Sequence, residues 1–329
     1  MSLKLRRAYI RVTSDIIPGV LNKLGRRPDQ PQGRERPAAD EWSMAVPFRY
    51  AAKASAERVA VICHLFHADL AETMIGALSS AHLHADLFVS TDTDAKAAII
   101  RKAAENWKGG KATVRIVENR GRDIAPKLVT FADVYDRYPL ILFLHSKRSG
   151  HYDFGREWRE YLQACLAGSQ AVVQSIQEIF ELRPDIGMVV PAHYHLLRKA
   201  QGGFRWDGNF RKARRLAWKM DIDLSQKGIV DFPSGSMFWA RPAALKPLLG
   251  LKLAYTDFPA EPCWVDGTLA HCIERLFLFS CEKAGLGWVK VISEDVAIPE
   301  QQRVIISEPS QIDDFIAKHR FDLLGIQAN

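Results

Sequence analysis

No run of about eighteen apolar residues occurs anywhere in the 329-residue chain, which excludes a membrane-spanning helix of ordinary length. Cysteine is scarce. The five present, at 63, 165, 263, 272 and 281, form no C-x-x-C pair, and an odd number in mostly apolar segments argues against a disulfide framework. They read as buried free thiols in a reducing cytosol. The N-terminus, MSLKLRRAYIRVTSDIIPGVL, is basic but lacks a continuous apolar core and a cleavage site, so no signal peptide is read there. No internal repeat and no low-complexity tract occurs. What is present is an apolar content of 47%, ample for a core, and a length that suits one large α/β domain with additions or two small domains.

Charge is unevenly placed. Residues 1–36 carry nine Lys and Arg against three acids, and residues 198–219 carry eight against one, within a chain of net charge +7. Two basic blocks on a mildly acidic remainder suggest an anionic partner, either phospholipid head groups, a lipid pyrophosphate or nucleic acid; a solvated surface is the plainer reading. Residues 1–25 set Leu3, Leu5, Ile10, Ile16, Ile17, Val20 and Leu21 among basic residues. Such a segment can rest peripherally on an anionic membrane or pack on the core, and Pro18 interrupts it. Residues 26–42 hold three prolines and read as linker.

From residue 57 the pattern turns periodic. It predicts strands over 57–67, 85–89, 112–117 and 140–144, separated by helices over 70–81 (capped by Asp69), 95–107 and 127–137. That alternation is the signature of a parallel sheet with helical crossovers. A long helix over 152–183 is weakened at Gly155 and Gly168. A strand at 186–190 follows, then an irregular basic insertion with Trp206 and Trp218, a turn and strand over 232–240, and a helix at 242–249. The expected order closes with a helix over 266–284, a strand over 288–293 and a polar helix over 309–319.

Residues 112–149 organise the rest. Asn119-Arg120-Gly121 is a turn in which Gly121 is free to take positive φ. The run at 140–144 is uniformly apolar, as in a strand buried on both faces of a parallel sheet. His145-Ser146-Lys147-Arg148 stands at its carboxyl end, where open α/β sheets bind ligands.

Four motifs, NRGRDIAP (119–126), LFLHSKRS (142–149), PSGSMFWARPAAL (233–245) and DGTLAHCIERLF (266–277), together resemble the rhamnan synthesis protein F family of surface-polysaccharide assembly proteins, over roughly residues 57–292. The N-x-G-x-x-x-A pattern followed by a helix and an apolar strand is similar to the nucleotide-sugar half of inverting family-2 glycosyltransferases with a GT-A fold. In those enzymes the strand ends in a D-x-D-like motif that holds a divalent metal; here His145-Ser146-Lys147 stands in its place.

The resemblance implies the following roles. Asp92 and Asp94 follow the second strand, where a carboxylate accepts hydroxyls or an imide N–H of the donor nucleotide; Asp94 also reads as a helix cap. Asn119, Gly121, Arg122 and Asp123 form a dense polar turn for donor binding, with His145 and Ser146 beside it. Lys147 and Arg148 replace the metal-binding acids and neutralise the departing diphosphate as fixed cations, so no metal site is expected. Gly235 and Ser236 flank the acceptor side. Asp266 is the candidate base that deprotonates the acceptor hydroxyl, with a pure helix cap as its alternative; His271 and Arg275 share a helix face near it.

The chain is therefore expected to be an α/β protein with a GT-A-like, mostly parallel sheet and helices on both faces. Residues 1–56 are the basic extension and linker, 57–298 a single catalytic domain with the insertion at 198–219, and 299–329 a tail. The expected function is transfer of a sugar, rhamnose by the family name, from a nucleotide diphosphate donor to a cell-surface or lipid-linked glycan. It is placed in the cytoplasm or at the inner membrane face. A catalytically silent binding partner in an assembly complex is the alternative, kept open by the missing D-x-D. The insertion is read as a flap over the donor or a lipid-phosphate contact. Nucleic acid is not expected as a partner, because no reader pattern accompanies the charge.

Overall fold

The computed structural model describes residues 34–36, 41–53, 55–146, 154–201, 204–295, 302–320 and 322–325. Its centre is a nine-stranded sheet in the order β11-β2-β10-β7-β9-β6-β3-β4-β5. The strands are β2 (Ser43–Val46), β3 (Val59–His64), β4 (Ala85–Thr91), β5 (Ala112–Ile116), β6 (Ile141–His145), β7 (Ile186–Pro191), β9 (Phe238–Ala240), β10 (Gly287–Ser293) and β11 (Arg303–Ile305). A separate parallel pair joins β1 (Arg34–Glu35) to β8 (Ile229–Val230). Every residue of β3, β6, β7 and β10 is buried, as expected of apolar strands covered on both faces.

Eight of the nine strands run parallel. β9 alone is reversed, pairing antiparallel with both β6 and β7. Residues 233–236 lead into it through a tight turn, with Gly235 at φ 88 and Ser236 at φ 54. Because β9 starts opposite Phe143, near the end of β6, this turn lies at the carboxyl ends of the parallel strands. The reversal thus delivers Gly235 and Ser236 to the edge where ligands bind in such sheets.

The helices are α1 (Ala71–Ser80), α2 (Asp94–Ala104), α3 (Gly155–Ala167), α4 (Gln170–Leu182), α5 (His195–Gln201), α6 (Phe210–Trp218), α7 (Pro242–Leu249), α8 (Leu269–Glu274), α9 (Phe277–Lys283) and α10 (Ser310–His319). The helix expected over 152–183 divides at Gly168, and Ser169 caps α4 by accepting from the Val172 N–H. The helix expected over 127–137 is instead a π-turn, Pro126–Thr130, running into a 3-10 turn, Ala132–Arg137. This wide winding accommodates Lys127, which turns inward, while Leu128, Phe131, Val134 and Tyr135 still reach the core.

Other expectations change as well. The helix expected over 266–284 is two, α8 and α9, so Asp266 lies in the loop before α8 and Thr268 takes the N-cap position. Thr93, not Asp94, caps α2, accepting from the Lys96 N–H. Asp69 falls inside a 3-10 turn, Ala68–Leu70, rather than at the N-cap of α1. The stretch expected as irregular, 191–232, contains α5, α6 and β8. β2, from the stretch expected as extension and linker, is an interior strand, and β11 and α10 come from the expected tail. Periodicity missed β2 and β11 because strands of four and three residues carry too little pattern.

Candidate functional site

Strand register builds the floor of the site. His64 at the end of β3 lies beside Ser90 on β4 and beside His145 on β6. His64 Nδ1 is 2.9 Å from Ser90 Oγ. Burial, against an opposing pull from Asp123, lowers the His64 pKa to about 4, so the imidazole is neutral at physiological pH. His145 Nε2 donates to the Gly235 carbonyl at 2.7 Å, joining the β6 end to the turn before β9. Ser146 locks two strand ends together. Its N–H donates to the His64 carbonyl and its hydroxyl oxygen accepts from the His67 N–H.

Above this floor opens a cleft of 780 Å³, within the roughly 300–1,000 Å³ range of small-molecule sites. Asn119, Arg122, Asp123, His145, Ser146, Gly235, Ser236, Asp266, His271 and Arg275 all line it. Ten of the residues singled out from the sequence therefore meet in one cavity, from chain positions 156 residues apart at the extremes. Asp92, Asp94 and Gly121 are not part of its lining. Asp92 pairs with Lys96 at 2.6 Å, and the Lys96 ammonium sits 3.7 Å from the Phe66 ring. Lys147 and Arg148 lie outside the described residues.

The turn after β5 is bolted to the loop before α8. Arg120 pairs with Ala260 across an antiparallel bridge and donates to the Phe258 carbonyl. Gly121 has φ 66, and a Cβ there would lie 2.6 Å from both Ala125 Cβ and Phe258 Cδ1. The close approach that this glycine permits is to protein. Arg122, itself at φ 55, donates to His271 Nε2 (2.8 Å), the Trp264 carbonyl (2.9 Å) and Glu261 (3.4 Å).

Asp123 forms a buried ion pair with Lys127, whose ammonium also donates to the Ser236 carbonyl at 2.7 Å. Glu274 on α8 accepts from the Gly235 N–H and the Ser236 hydroxyl, at 3.0 and 3.2 Å. The strained turn at 235–236 is thus held from both sides. Sequence reasoning passed over Lys127 and His64. The signals were an i,i+4 pairing of Asp123 with the one cation of an otherwise apolar segment, and a histidine at a strand end level with His145.

At the mouth of the cleft Asp266 is gripped by Asn209, whose side-chain amide donates to both carboxylate oxygens at 2.9 and 3.0 Å. Arg275 stands 3.7 Å away and His271 Nδ1 4.0 Å away. Burial pushes the Asp266 carboxyl up, but Arg275, Asn209 and His271 outweigh it and hold the pKa below the usual carboxylate range. Asp266 is therefore ionised at neutral pH. His271 Nε2 lies 2.8 Å from the Arg122 guanidinium and its Nδ1 lies 2.8 Å from Thr268 Oγ1 and accepts from the Thr268 N–H at 3.4 Å; burial and then Arg122 lower its pKa.

A second polar cluster lies behind the cleft. Glu41, His193 and Asp231 come close enough together to suggest cation ligands. Lys290 already occupies their centre. Its ammonium is 3.1 Å from Glu41 and 2.8 Å from Asp231, while Arg198 and Arg36 pair with the same two acids at 3.0 and 3.1 Å. Two carboxylates matched by three fixed cations do not suit a divalent ion, which would have to displace Lys290. The cluster reaches the cleft through His193 Nδ1, 3.0 Å from Ser234 Oγ.

Comparison with known proteins places this geometry in context. The family described as Rhamnan synthesis protein F matches residues 44–285. Two curated relatives from strains of Xanthomonas campestris pv. campestris, both named Uncharacterized protein WxcX, are 35% identical over 216 residues. Those residues are 65% of this chain but 30% of the relatives, so the match spans less than a third of their length. A solved structure, Mannosyltransferase PcManGT from Pyrobaculum calidifontis in complex with GDP-Man and Mn2+, aligns with a TM-score of 0.39 at 14% identity, over 77% of this chain and 61% of that one. No helix among the described residues is long and apolar enough to cross a membrane.

Proposed function

The chain belongs to the rhamnan synthesis protein F family, and from that premise we propose that it transfers a sugar from a nucleotide diphosphate donor to a surface-polysaccharide or lipid-linked glycan. The family's name favours rhamnose as that sugar. One observation carries the reading. A cleft sized for a nucleotide sugar, at the carboxyl ends of a mostly parallel sheet, holds an ionised carboxylate at its mouth beside a polar turn.

In this reading Asp266 accepts the proton of the acceptor hydroxyl as that oxygen attacks the anomeric carbon. The bond from the anomeric carbon to the diphosphate oxygen breaks, and the nucleoside diphosphate leaves with its electron pair. Asn209 and Arg275 fix the carboxylate in place. The donor lies against Asn119, Asp123, His145 and Ser146, with Gly235, Ser236, His271 and Arg275 toward the acceptor.

Fixed cations take the charge of the leaving group. Lys147 and Arg148 are assigned that role from the sequence. Arg122 commits three of its five N–H donors within the protein, and the others are available to a phosphate. Of the five carboxylates lining the cleft, the fifth being Asp207, four accept from protein donors as follows: Asp123 from Lys127, Glu261 from the Cys263 N–H, Asp266 from Asn209 and Glu274 from the Gly235 N–H. That pattern favours metal-independent transfer. The alternative, a binding partner without turnover, draws support from the weak basicity that Arg275 imposes on Asp266.

The test is nucleoside diphosphate release from a nucleotide sugar in the presence of extracted glycan lipid. The native protein turns over, and Asp266→Asn loses at least about 10²-fold in kcat while still binding donor. Equal turnover by the variant removes Asp266 as the base. Donor binding by the native protein without turnover selects the silent-partner reading.

A further inference from the structure

We propose that the exposed face of α6, continued by Trp264 and Val265, seats the protein on an anionic lipid bilayer with the mouth of the cleft turned toward the head groups. α6 is divided sharply. Phe210, Ala213, Leu216 and Ala217 are buried, and Met220 just beyond it is buried too. Arg211, Lys212, Arg214, Arg215, Trp218 and Lys219 are exposed. At the 100° step of a helix these six fall on one continuous arc, with Trp218 among the cations and no acid between them.

Two features set this face apart from an ordinary solvated helix. Among the described residues, the side chains of Arg211, Arg214, Arg215 and Lys219 make no hydrogen bond or ion pair, although 38 acids are present in the chain. Large apolar side chains also gather here. Of the seven most exposed in the described structure, Trp218 (76%) lies on α6, and Trp264 (49%) and Val265 (60%) lie in the loop that Lys212 of α6 contacts. Lys212 joins its halves, its ammonium 5.6 Å from the Trp264 ring and bonded to the Gly267 carbonyl at 2.5 Å.

A groove of 660 Å³ runs between them. Arg120, Lys212, Arg215 and Lys219 stand over an apolar floor that includes Leu216 and Phe258. Its one acid, Asp257, is engaged by the Ala254 N–H. Cations at the level of phosphate and tryptophan rings at the level of the glycerol backbone are what an interfacial helix presents to an anionic membrane. Val265 and Asp266 line the neighbouring catalytic cleft, so the same contact brings a membrane-borne hydroxyl to Asp266. Membrane seating itself does not depend on sugar transfer.

The experiment is flotation of the full-length protein with phosphatidylcholine vesicles, with and without phosphatidylglycerol. Native protein floats only with the anionic vesicles and is released by salt. Arg211→Gln/Arg215→Gln lowers the partition coefficient about 25-fold, roughly fivefold per cation, with the melting temperature unchanged because both sites are exposed. Brominated phosphatidylglycerol quenches tryptophan emission in the native protein and less in Trp218→Phe. Asp266→Asn floats as the native does. Unchanged partitioning of the arginine variant, undiminished quenching in Trp218→Phe, equal binding to neutral vesicles, or binding to an oligonucleotide in place of vesicles each overturns the proposal.

Discussion

Lys127 donates a 2.7 Å hydrogen bond to the Ser236 carbonyl while its ammonium pairs with Asp123, and its side chain is only 1% exposed. One lysine thereby connects the turn after β5 to the reversed strand β9 beneath the cleft. Lys127→Met leaves Asp123 as a buried charge without its partner and costs about 3–5 kcal/mol. Asp123→Asn/Lys127→Met recovers part of that loss, because both charges are then gone. Chemical denaturation of the three proteins measures the difference.

Lys290 occupies the position a cation would take among Glu41, His193 and Asp231. Lys290→Met takes from Glu41 and Asp231 the cation they share, leaving each with one arginine, and destabilises the fold by at most about 3–5 kcal/mol. Removal of the ammonium also creates a site with carboxylate and imidazole ligands. Zn²⁺ or Mn²⁺ accordingly raises the melting temperature of the Lys290→Met variant through this cluster and not that of the native protein. A native protein stabilised by those ions, with the effect lost in Glu41→Gln, contradicts this assignment.

Glu282 on α9 accepts from the Trp288 indole N–H and from the Leu323 and Leu324 N–H groups, tying the end of the chain to the core. Burial raises its pKa from the ordinary 4.5 to about 7. A raised folded-state pKa means the native state holds the proton more tightly than the unfolded chain. The resulting stability is complete below pH 4.5 and is lost as pH rises to about 7, amounting to about 3 kcal/mol. Glu282→Gln flattens the stability profile across that window, which urea titrations at a series of pH values read directly.

His64 works with the opposite sign. Its pKa falls from 6.5 to about 4 through burial, so the neutral form is the native one. Stability from this residue is present above pH 6.5 and is lost as pH falls toward 4. His64→Gln keeps a hydrogen-bonding group near Ser90 and removes that acid-side slope, without changing stability at pH 8 by more than about 1 kcal/mol.

Much of this site was legible in the sequence. The strands ending at His64, Thr91 and His145 announce themselves as apolar runs, and a parallel sheet gathers their ends at one edge. Positive φ at Gly121 was readable from the turn, but its cause was not. Only the fold shows that a Cβ there meets Phe258, 137 residues later. Asp266 read as the candidate base, with a helix cap as the alternative because Asp-Gly-Thr precedes a helical pattern; the grip of Asn209 and Arg275 is tertiary and leaves no local trace. The network of Glu41, Asp231 and Lys290 joins three distant segments, so no window of sequence holds it.

The cleft is proposed to bind a nucleotide sugar without a divalent ion. A thermal-shift panel of nucleoside diphosphates and nucleotide sugars, run in EDTA and again with Mg²⁺ or Mn²⁺, tests it most directly. A donor at 100 times its Kd adds about 2.7 kcal/mol of stability. The account predicts stabilisation by one nucleotide class in EDTA, retained in Asp266→Asn and abolished by Asp123→Asn/Ser146→Tyr, which closes the floor of the cleft. Stabilisation only with the metal ion, or by no nucleotide at all, contradicts it.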